Sequence, residues 1–213
     1  MPEQAKKTNK KKYYDNISVG ARTTQIVYLV EKHDKLSMFE QFLKNSDTKQ
    51  TVVMTKSKRS ADELSLYLKA QNIEAMVVHG NHRKAQLDEA SKAFNSSKLN
   101  ILITTDMILK PLELETIQVM VNYELPTQAE DYFMRLRYVD EIGKSISFVT
   151  PEEEGSLQTV EIMMKMQIPQ EEVQDFVPTV PSQVATPGKD KKKKPRHRKL
   201  KQKAKNKSEQ DES

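Results

Sequence analysis

Apolar residues in this chain alternate between short continuous runs and segments with helical spacing. Runs rich in valine, isoleucine and leucine predict six strands, at 25–30, 51–54, 75–78, 100–104, 119–122 and 145–149. Between them, apolar residues recur every three or four positions. This spacing predicts helices at 35–43, from a cap at Ser60, at 84–94, at 128–138 and from Pro151 onward. Strand and helix therefore alternate along the chain, which is typical of an α/β domain.

The run Ile101-Leu-Ile-Thr-Thr-Asp106 indicates the centre of the sheet. A continuous apolar run fits a strand buried on both faces, and such strands belong to parallel sheets covered by helices. We therefore predict a single doubly wound parallel sheet with helices on both faces and disordered basic tails. Ligands bind such sheets beyond the carboxyl ends of the strands, so Thr105 and Asp106 are candidate site residues.

Charge divides the chain of 213 residues into a body and two basic ends. Residues 1–12 carry a net charge of +4 and residues 189–213 carry +8, and subtracting both from the overall +5 leaves −7 for residues 13–188. We predict a flexible segment at 1–20, one domain at 21–169, and a linker with a disordered Lys-rich tail at 170–213.

Several classes of protein are excluded by composition. The chain has no cysteine, so disulfides, thiolate nucleophiles and thiolate metal sites are excluded. No apolar run approaches the ~18 residues that a membrane-spanning helix needs. We expect a cytoplasmic protein, or a nuclear one in a eukaryote, with no membrane contact and no bound metal.

Five pieces of sequence follow one another at the predicted strand ends and helix starts. They are Lys58-Arg-Ser-Ala-Asp-Glu-Leu64, Val78-His-Gly80, Ile101-Leu-Ile-Thr-Thr-Asp106, Val121-Asn-Tyr-Glu-Leu-Pro126 and Ser145-Ile-Ser-Phe-Val-Thr-Pro151. In this order and separation, they resemble the second (C-terminal) RecA-like domain of the DEAD-box RNA helicases, over about residues 24–169.

The resemblance implies RNA contacts at several of these positions. Ser57 and Lys58 would face an RNA phosphate, and His79-Gly80 would let a backbone N–H approach one. Thr105 and Asp106 would contact sugar and phosphate, which positions RNA without reading its sequence. Two alternatives stay open: His79 could be structural, and Asp106 could cap a turn at 107–110.

The chain departs from the family pattern after Asp106. Lys110 retains a positive charge and is a candidate RNA contact, whereas Pro111 stands in place of a glycine and removes its N–H. Glu113 falls where the family has an aspartate that contacts the ATP ribose. It is therefore a candidate residue of a vestigial nucleotide site.

The arginine-finger motif departs further. In 134–141 the family's first arginine is retained as Arg135, but Tyr138 and Glu141 replace the two arginines that would contact the ATP γ-phosphate. Arg137, one position away, could partly substitute, or it and Arg135 could pair with nearby carboxylates (Asp131, Asp140 or Glu141). We therefore assign Arg135 and Arg137, with Glu113, to the vestigial nucleotide site.

The other half of the family's ATPase has no counterpart in this sequence. There is no Gly-x-x-x-x-Gly-Lys-Ser/Thr loop and no Asp-Glu-Ala-Asp sequence. We predict no catalytic residue and no cofactor for this chain alone. ATP and Mg²⁺ would bind only if a first RecA-like domain completed the site.

The C-terminal run of positive charge indicates a polyanionic partner. Its candidate RNA contacts are Lys191, Lys192, Lys193, Lys194, Arg196 and Arg198. The run holds no aromatic residue for base stacking, so we expect little sequence preference.

The sequence predicts an RNA-binding domain without ATPase activity of its own. Ribosome-assembly proteins are further candidate partners by family analogy. One alternative is the C-terminal half of an active ATP-dependent helicase whose first domain is absent from this chain. Another is a protein-interaction module.

Overall fold

The protein contains one parallel β-sheet with helices on both faces. The structure, a computed structural model, describes residues 15–46 and 50–179. The sheet has the strand order β1-β6-β5-β2-β4-β3, and every pairing is parallel. The strands are β1 (Thr24–Leu29), β2 (Thr51–Thr55), β3 (Met76–Val77), β4 (Ile101–Thr105), β5 (Val119–Asn122) and β6 (Lys144–Val149). The predicted fold class and the six predicted strands are confirmed.

Seven α-helices connect and flank these strands in the described part of the chain. They are α1 (Asn16–Arg22), α2 (Lys35–Asn45), α3 (Lys58–Ala70), α4 (Lys84–Asn95), α5 (Asp106–Leu109), α6 (Ala129–Tyr138) and α7 (Glu154–Met164). A 3₁₀ turn, Pro151–Glu153, leads into α7. No helix in the described residues has the length and apolar character to cross a bilayer.

Strand β4 has the two buried faces that its sequence predicts, but it lies second from one edge of the sheet, so the prediction of a central position is wrong. Ile101 and Ile103 pack with residues of α2 and α3 on one face of the sheet. Leu102 packs on the other face with Ala90 and Phe94 of α4. Side chains alternate across a strand, so a strand buried on both faces must be apolar at successive positions.

The N-terminal segment is more ordered than we predicted. Residues from Asn16 onward form α1, and the Asp15 side chain caps this helix by accepting the Ser18 N–H at 2.8 Å. Val19 is fully buried in a cluster with residues of α6 and α7. The predicted flexible segment is therefore wrong for residues 15–20, because one buried valine gives too little periodicity to be recognised.

The segment predicted to be a linker from residue 170 is packed on the domain as far as Thr179. We call residues 169–179 the strap. Its start pairs with edge strand β1: the Val27 N–H donates to the Pro169 carbonyl at 2.9 Å, and the Glu171 N–H donates to the Val27 carbonyl at 3.0 Å.

Apolar packing and a carboxylate hold the rest of the strap. Val173 is buried, and Phe176 packs against the same cluster as α2. The Thr179 N–H donates to the Asp34 carboxylate at 2.9 Å. The linker prediction is therefore wrong for residues 170–179, and the Lys-rich tail lies outside the described residues.

Candidate nucleic-acid interface at the carboxyl ends of the strands

Three candidate segments that are far apart in sequence lie side by side in the structure. The sheet order places β4 between β2 and β3, so their carboxyl ends carry 56–58, 105–110 and 79–81 as neighbours. Lys58 Nζ donates to Asn81 Oδ1 at 3.2 Å, which joins the first and last of these segments. A Cβ placed on Gly80 would lie 3.9 Å from Met107 Sδ. The candidate residues of these segments thus form one surface.

Ser57 begins α3 at this surface. Its hydroxyl accepts the Ser60 N–H at 3.1 Å, so Ser57 is the helix cap and the prediction of a cap at Ser60 is wrong. The sequence Ser60-x-x-Glu63 imitates a capping box, but Glu63 pairs with Arg59 at 2.8 Å instead. Lys58, in the first turn of α3, is exposed.

His79 is held inside the domain. Its side chain is 4% exposed, and Nε2 lies 3.0 Å from Asp62 Oδ1. The His82 ring packs edge-on against the His79 ring with centroids 4.3 Å apart. The backbone N–H of His82 donates to the His79 carbonyl at 2.9 Å. Of the two alternatives for His79, this geometry fits the structural one. The side chain holds the turn that carries Gly80.

Asp106 is neither a helix cap nor free for a ligand. The residue before α5 is Thr105, and no side-chain cap bond forms there. Both Asp106 carboxylate oxygens instead accept hydrogen bonds from Arg135: Nε donates to Oδ1 at 2.7 Å and Nη2 to Oδ2 at 2.7 Å. This two-point contact fixes the turn that follows β4.

Arg135 is fully buried, and the rest of its guanidinium is also bonded to protein. Nη1 donates to Asn122 Oδ1 at 2.8 Å and to the Glu124 carbonyl at 3.0 Å. Asn122 in turn donates to the hydroxyls of Ser145, at 3.2 Å, and Ser147, at 3.0 Å. A nucleotide could contact Arg135 only if these bonds broke. The arrangement makes Arg135 a positioning residue.

The three residues assigned to a vestigial nucleotide site each contact different neighbours in the described residues. The Glu113 carbonyl accepts from Asn95 at 3.3 Å, at the end of α4 that leads to the amino end of β4. Arg137 is exposed, and its Nη2 lies 3.5 Å from Asn16 Oδ1 of α1. Arg137 thus contacts an amide side chain of α1.

A cavity of about 460 Å³ beside this surface was not predicted from the sequence. Its two most buried charged groups are Lys35 and Glu153, each 7% exposed. Glu153 binds Lys35 Nζ at 2.8 Å and Lys56 Nζ at 3.0 Å and accepts the Leu125 N–H at 3.1 Å. Burial raises the pKa of Glu153, but the two ammonium groups outweigh burial and hold this pKa below its usual value. In the sequence, Glu153 is only one of three acidic residues that follow Pro151.

No group of three or more histidine, aspartate or glutamate side chains in the described residues could hold a metal ion. Two carboxylates near this surface, those of Asp106 and Glu153, are bound by arginine and lysine.

Comparison with known proteins gives one family. Residues 34–137 match the helicase conserved C-terminal domain. DEAD-box ATP-dependent RNA helicase RhpA of Helicobacter pylori is 28% identical over 131 residues, which are 60% of this chain and 27% of that protein. A probable vasa-like ATP-dependent RNA helicase of Penaeus vannamei is 31% identical over 150 residues, 66% of this chain and 21% of that protein. This chain thus spans about a quarter of the length of these relatives.

Solved structures agree with the family match. A DEAD box protein from the hyperthermophile Methanococcus jannaschii superposes with a TM-score of 0.67 at 26% identity, covering 72% of this chain and 43% of that one. The E. coli DEAD-box protein SrmB, solved bound to regulator of ribonuclease activity A, has a TM-score of 0.68 at 17% identity, covering 74% and 95%. The second likeness concerns the fold alone.

Proposed function

Because this chain carries the C-terminal, RecA-like helicase domain of the DEAD-box RNA helicases, we propose that it binds single-stranded RNA at the carboxyl ends of β2, β4 and β3, without hydrolysing ATP by itself. The adjacency of segments 56–58, 79–81 and 105–110 is the observation that supports this most directly. The chain's resemblance to the family assigns phosphate contacts to each of these segments.

The groups available for RNA are suited to its backbone. Lys58 and Lys110 are exposed cations, and Gly80 leaves the backbone of its turn open to a phosphate. Thr105 adds a partly exposed hydroxyl. Contacts of these kinds are independent of base identity, so the proposal is sequence-nonspecific binding.

The side chains at the arginine-finger positions support the absence of ATP turnover. Tyr138 packs against the core, and burial raises the pKa of its hydroxyl, so it stays neutral. Glu141 is an exposed carboxylate that would repel a triphosphate. Loss of an arginine finger reduces phosphoryl-transfer rates by about 10³–10⁵.

The tail and other molecules complete the proposal. Residues 189–213 would supply most of the affinity through their +8 charge. Structures of related proteins include yeast Dbp5 bound to RNA and ADP BeF3, and E. coli SrmB with a protein partner. For this chain, RNA, a first RecA-like domain and ribosome-assembly proteins are proposed partners.

Fluorescence anisotropy with a labelled single-stranded oligoribonucleotide tests the RNA-binding proposal. Neutralising about six phosphates predicts a roughly 10³-fold loss of affinity between 50 and 200 mM salt. Deleting 189–213 should weaken binding far more than Thr105→Ala. In the full chain at moderate salt, the double variant Lys58→Ala and Lys110→Ala should bind RNA more weakly than the parent. Lys98→Ala, before the amino end of β4, should bind as the parent does. Equal effects of the double variant and Lys98→Ala would contradict the proposed surface.

The ATPase proposal needs a separate measurement. The second candidate is the C-terminal half of an active helicase whose first domain is absent from this chain. Phosphate release by the purified chain with RNA and Mg-ATP should stay at background. Release on adding a first RecA-like domain in trans would favour the second candidate. RNA-dependent release by the chain alone would contradict the proposal.

A further inference from the structure

Met107 is an apolar side chain exposed at the centre of the candidate RNA surface. It is 79% exposed, although the next two residues of α5, Ile108 and Leu109, are buried. The turn that carries it cannot easily rotate Met107 inward, because Asp106 is held at two points by buried Arg135. The position of this side chain on the surface is therefore set by the fold.

Met107 lies beside the 79–82 turn, and we call Met107 together with Gly80 and His82 of that turn the platform. Gly80 has no side chain, and a Cβ there would lie 3.9 Å from Met107 Sδ, in ordinary contact. The thioether therefore lies along the open backbone of the 79–82 turn. The His82 ring, partly exposed, is held edge-on against His79 at 4.3 Å. The platform thus combines an apolar, polarizable group with an aromatic one.

Two exposed lysines lie next to the platform. Lys58 reaches the 79–82 turn through Asn81 at 3.2 Å, and Lys110 follows α5 directly. An apolar or aromatic surface next to cations matches single-stranded nucleic acid, in which flat bases alternate with phosphates. A protein partner would be favoured by a larger apolar patch without this flanking charge.

We propose that this platform binds one unpaired base of the RNA strand, with Met107 contacting the face of the base and Lys58 and Lys110 contacting the flanking phosphates. This inference rests on the proposed RNA binding. It adds a contact that requires a base to be present, whatever its identity. Sulfur is polarizable and makes favourable contacts with aromatic rings. The ligand class is an unpaired nucleobase of any identity, because every base has an aromatic face.

The test compares Met107→Ala with Ile162→Ala, an exposed apolar residue on α7. Both variants are measured in the full chain by anisotropy, at about 0.3 M salt to screen the tail. The probes are a labelled oligouridylate and an abasic oligoribonucleotide of the same length. Met107→Ala should lose about two- to tenfold in affinity for oligouridylate, the range expected for a sulfur–aromatic contact. Its affinity for the abasic strand should not change. Ile162→Ala should bind both probes with the affinity of the parent protein.

Crosslinking supplies a second readout that does not depend on affinity. Ultraviolet irradiation with 4-thiouridine-substituted RNA should label the peptide containing Met107 or that containing His82, located by mass spectrometry. Equal loss on both probes would assign Met107 a role in backbone binding or folding and overturn the inference. RNA binding unaffected by Met107→Ala, with crosslinks elsewhere, would overturn it and leave the proposed function standing. Absence of any RNA binding at about 50 mM salt, where the affinity should be highest, would overturn both.

Discussion

Arg135 and Asp106, which are 29 residues apart in sequence, form a two-point ion pair at 2.7 Å that joins α6 to the turn after β4. The guanidinium is fully buried, while the Asp106 side chain is 26% exposed. This pair fixes the segment that carries Thr105, Met107 and Lys110. The candidate RNA surface therefore depends on a residue that does not itself reach the surface.

Removing Arg135 should destabilise the domain. Arg135→Ala leaves Asp106, Asn122 and the Glu124 carbonyl without their donor, and breaking a buried pair in this way costs about 3–5 kcal/mol. Arg135→Lys should recover little, because an ammonium cannot make the planar two-point contact. Urea unfolding measures both variants. Arg137→Ala, on the exposed face of the same helix, should change the free energy of unfolding by less than about 0.5 kcal/mol, and equal losses at 135 and 137 would contradict the assignment.

Glu153 should make stability depend on pH in a defined direction. Its pKa is lowered in the folded protein, so its contribution to stability is present above the ordinary value of 4.5 and is lost as the pH falls through the folded value. Glu153→Gln should cost about 2–3 kcal/mol at neutral pH, less than a fully buried pair, because Lys56 keeps 40% of its side chain exposed.

Thermal unfolding across the acidic range checks this prediction. The difference in Tm between Glu153→Gln and the parent should shrink as the pH falls below 4.5. Glu152→Gln, at the exposed neighbouring position, is the matched control and should differ little from the parent at neutral pH. A gap that widens in acid would show that the sign is wrong.

Thr104 and Thr55 should respond oppositely to the same substitution. Thr104 Oγ1 is buried and has no hydrogen-bond partner among the described residues. Thr104→Val should therefore be neutral or stabilise by up to about 1 kcal/mol. The single Thr55 hydroxyl proton has two carbonyl acceptors within reach of Oγ1, those of Ser57 at 3.2 Å and Thr104 at 3.3 Å, so Thr55→Val should cost about 1 kcal/mol. Urea midpoints at constant m-value measure both; a destabilised Thr104→Val would reveal a partner for that hydroxyl.

The strap should open when its carboxylate anchor is removed. Asp34→Ala takes away the acceptor of both the Thr179 N–H and the Thr179 hydroxyl. Amide hydrogen exchange in 173–179 should then become faster, while the central strands keep their protection. Asp15→Ala removes the cap of α1 and should accelerate exchange in 16–22 only. Faster exchange of 173–179 in both variants would indicate general loosening rather than a local anchor.

What the sequence by itself determined is the succession of strands and helices along the chain. The apolar run before Asp106 and the spacing in 35–43 report which faces of an element must be buried, and this information is local. The resemblance of the strand-end motifs likewise identified the helicase C-terminal domain. Segments with few apolar residues were misread: α1 buries Val19, and the strap depends on Val173 and Phe176.

Only the tertiary structure decided which partner each polar side chain has. Asp106 could be a cap or a ligand contact by its position in the chain, yet its carboxylate binds an arginine from α6. Glu153 likewise looks like an ordinary helix-start residue, until β2 and α2 bring Lys56 and Lys35 to it. The physical reason is that a hydrogen bond or ion pair requires a few ångströms of separation. Separations between distant segments are set by the order of strands in the sheet, which local patterns do not encode.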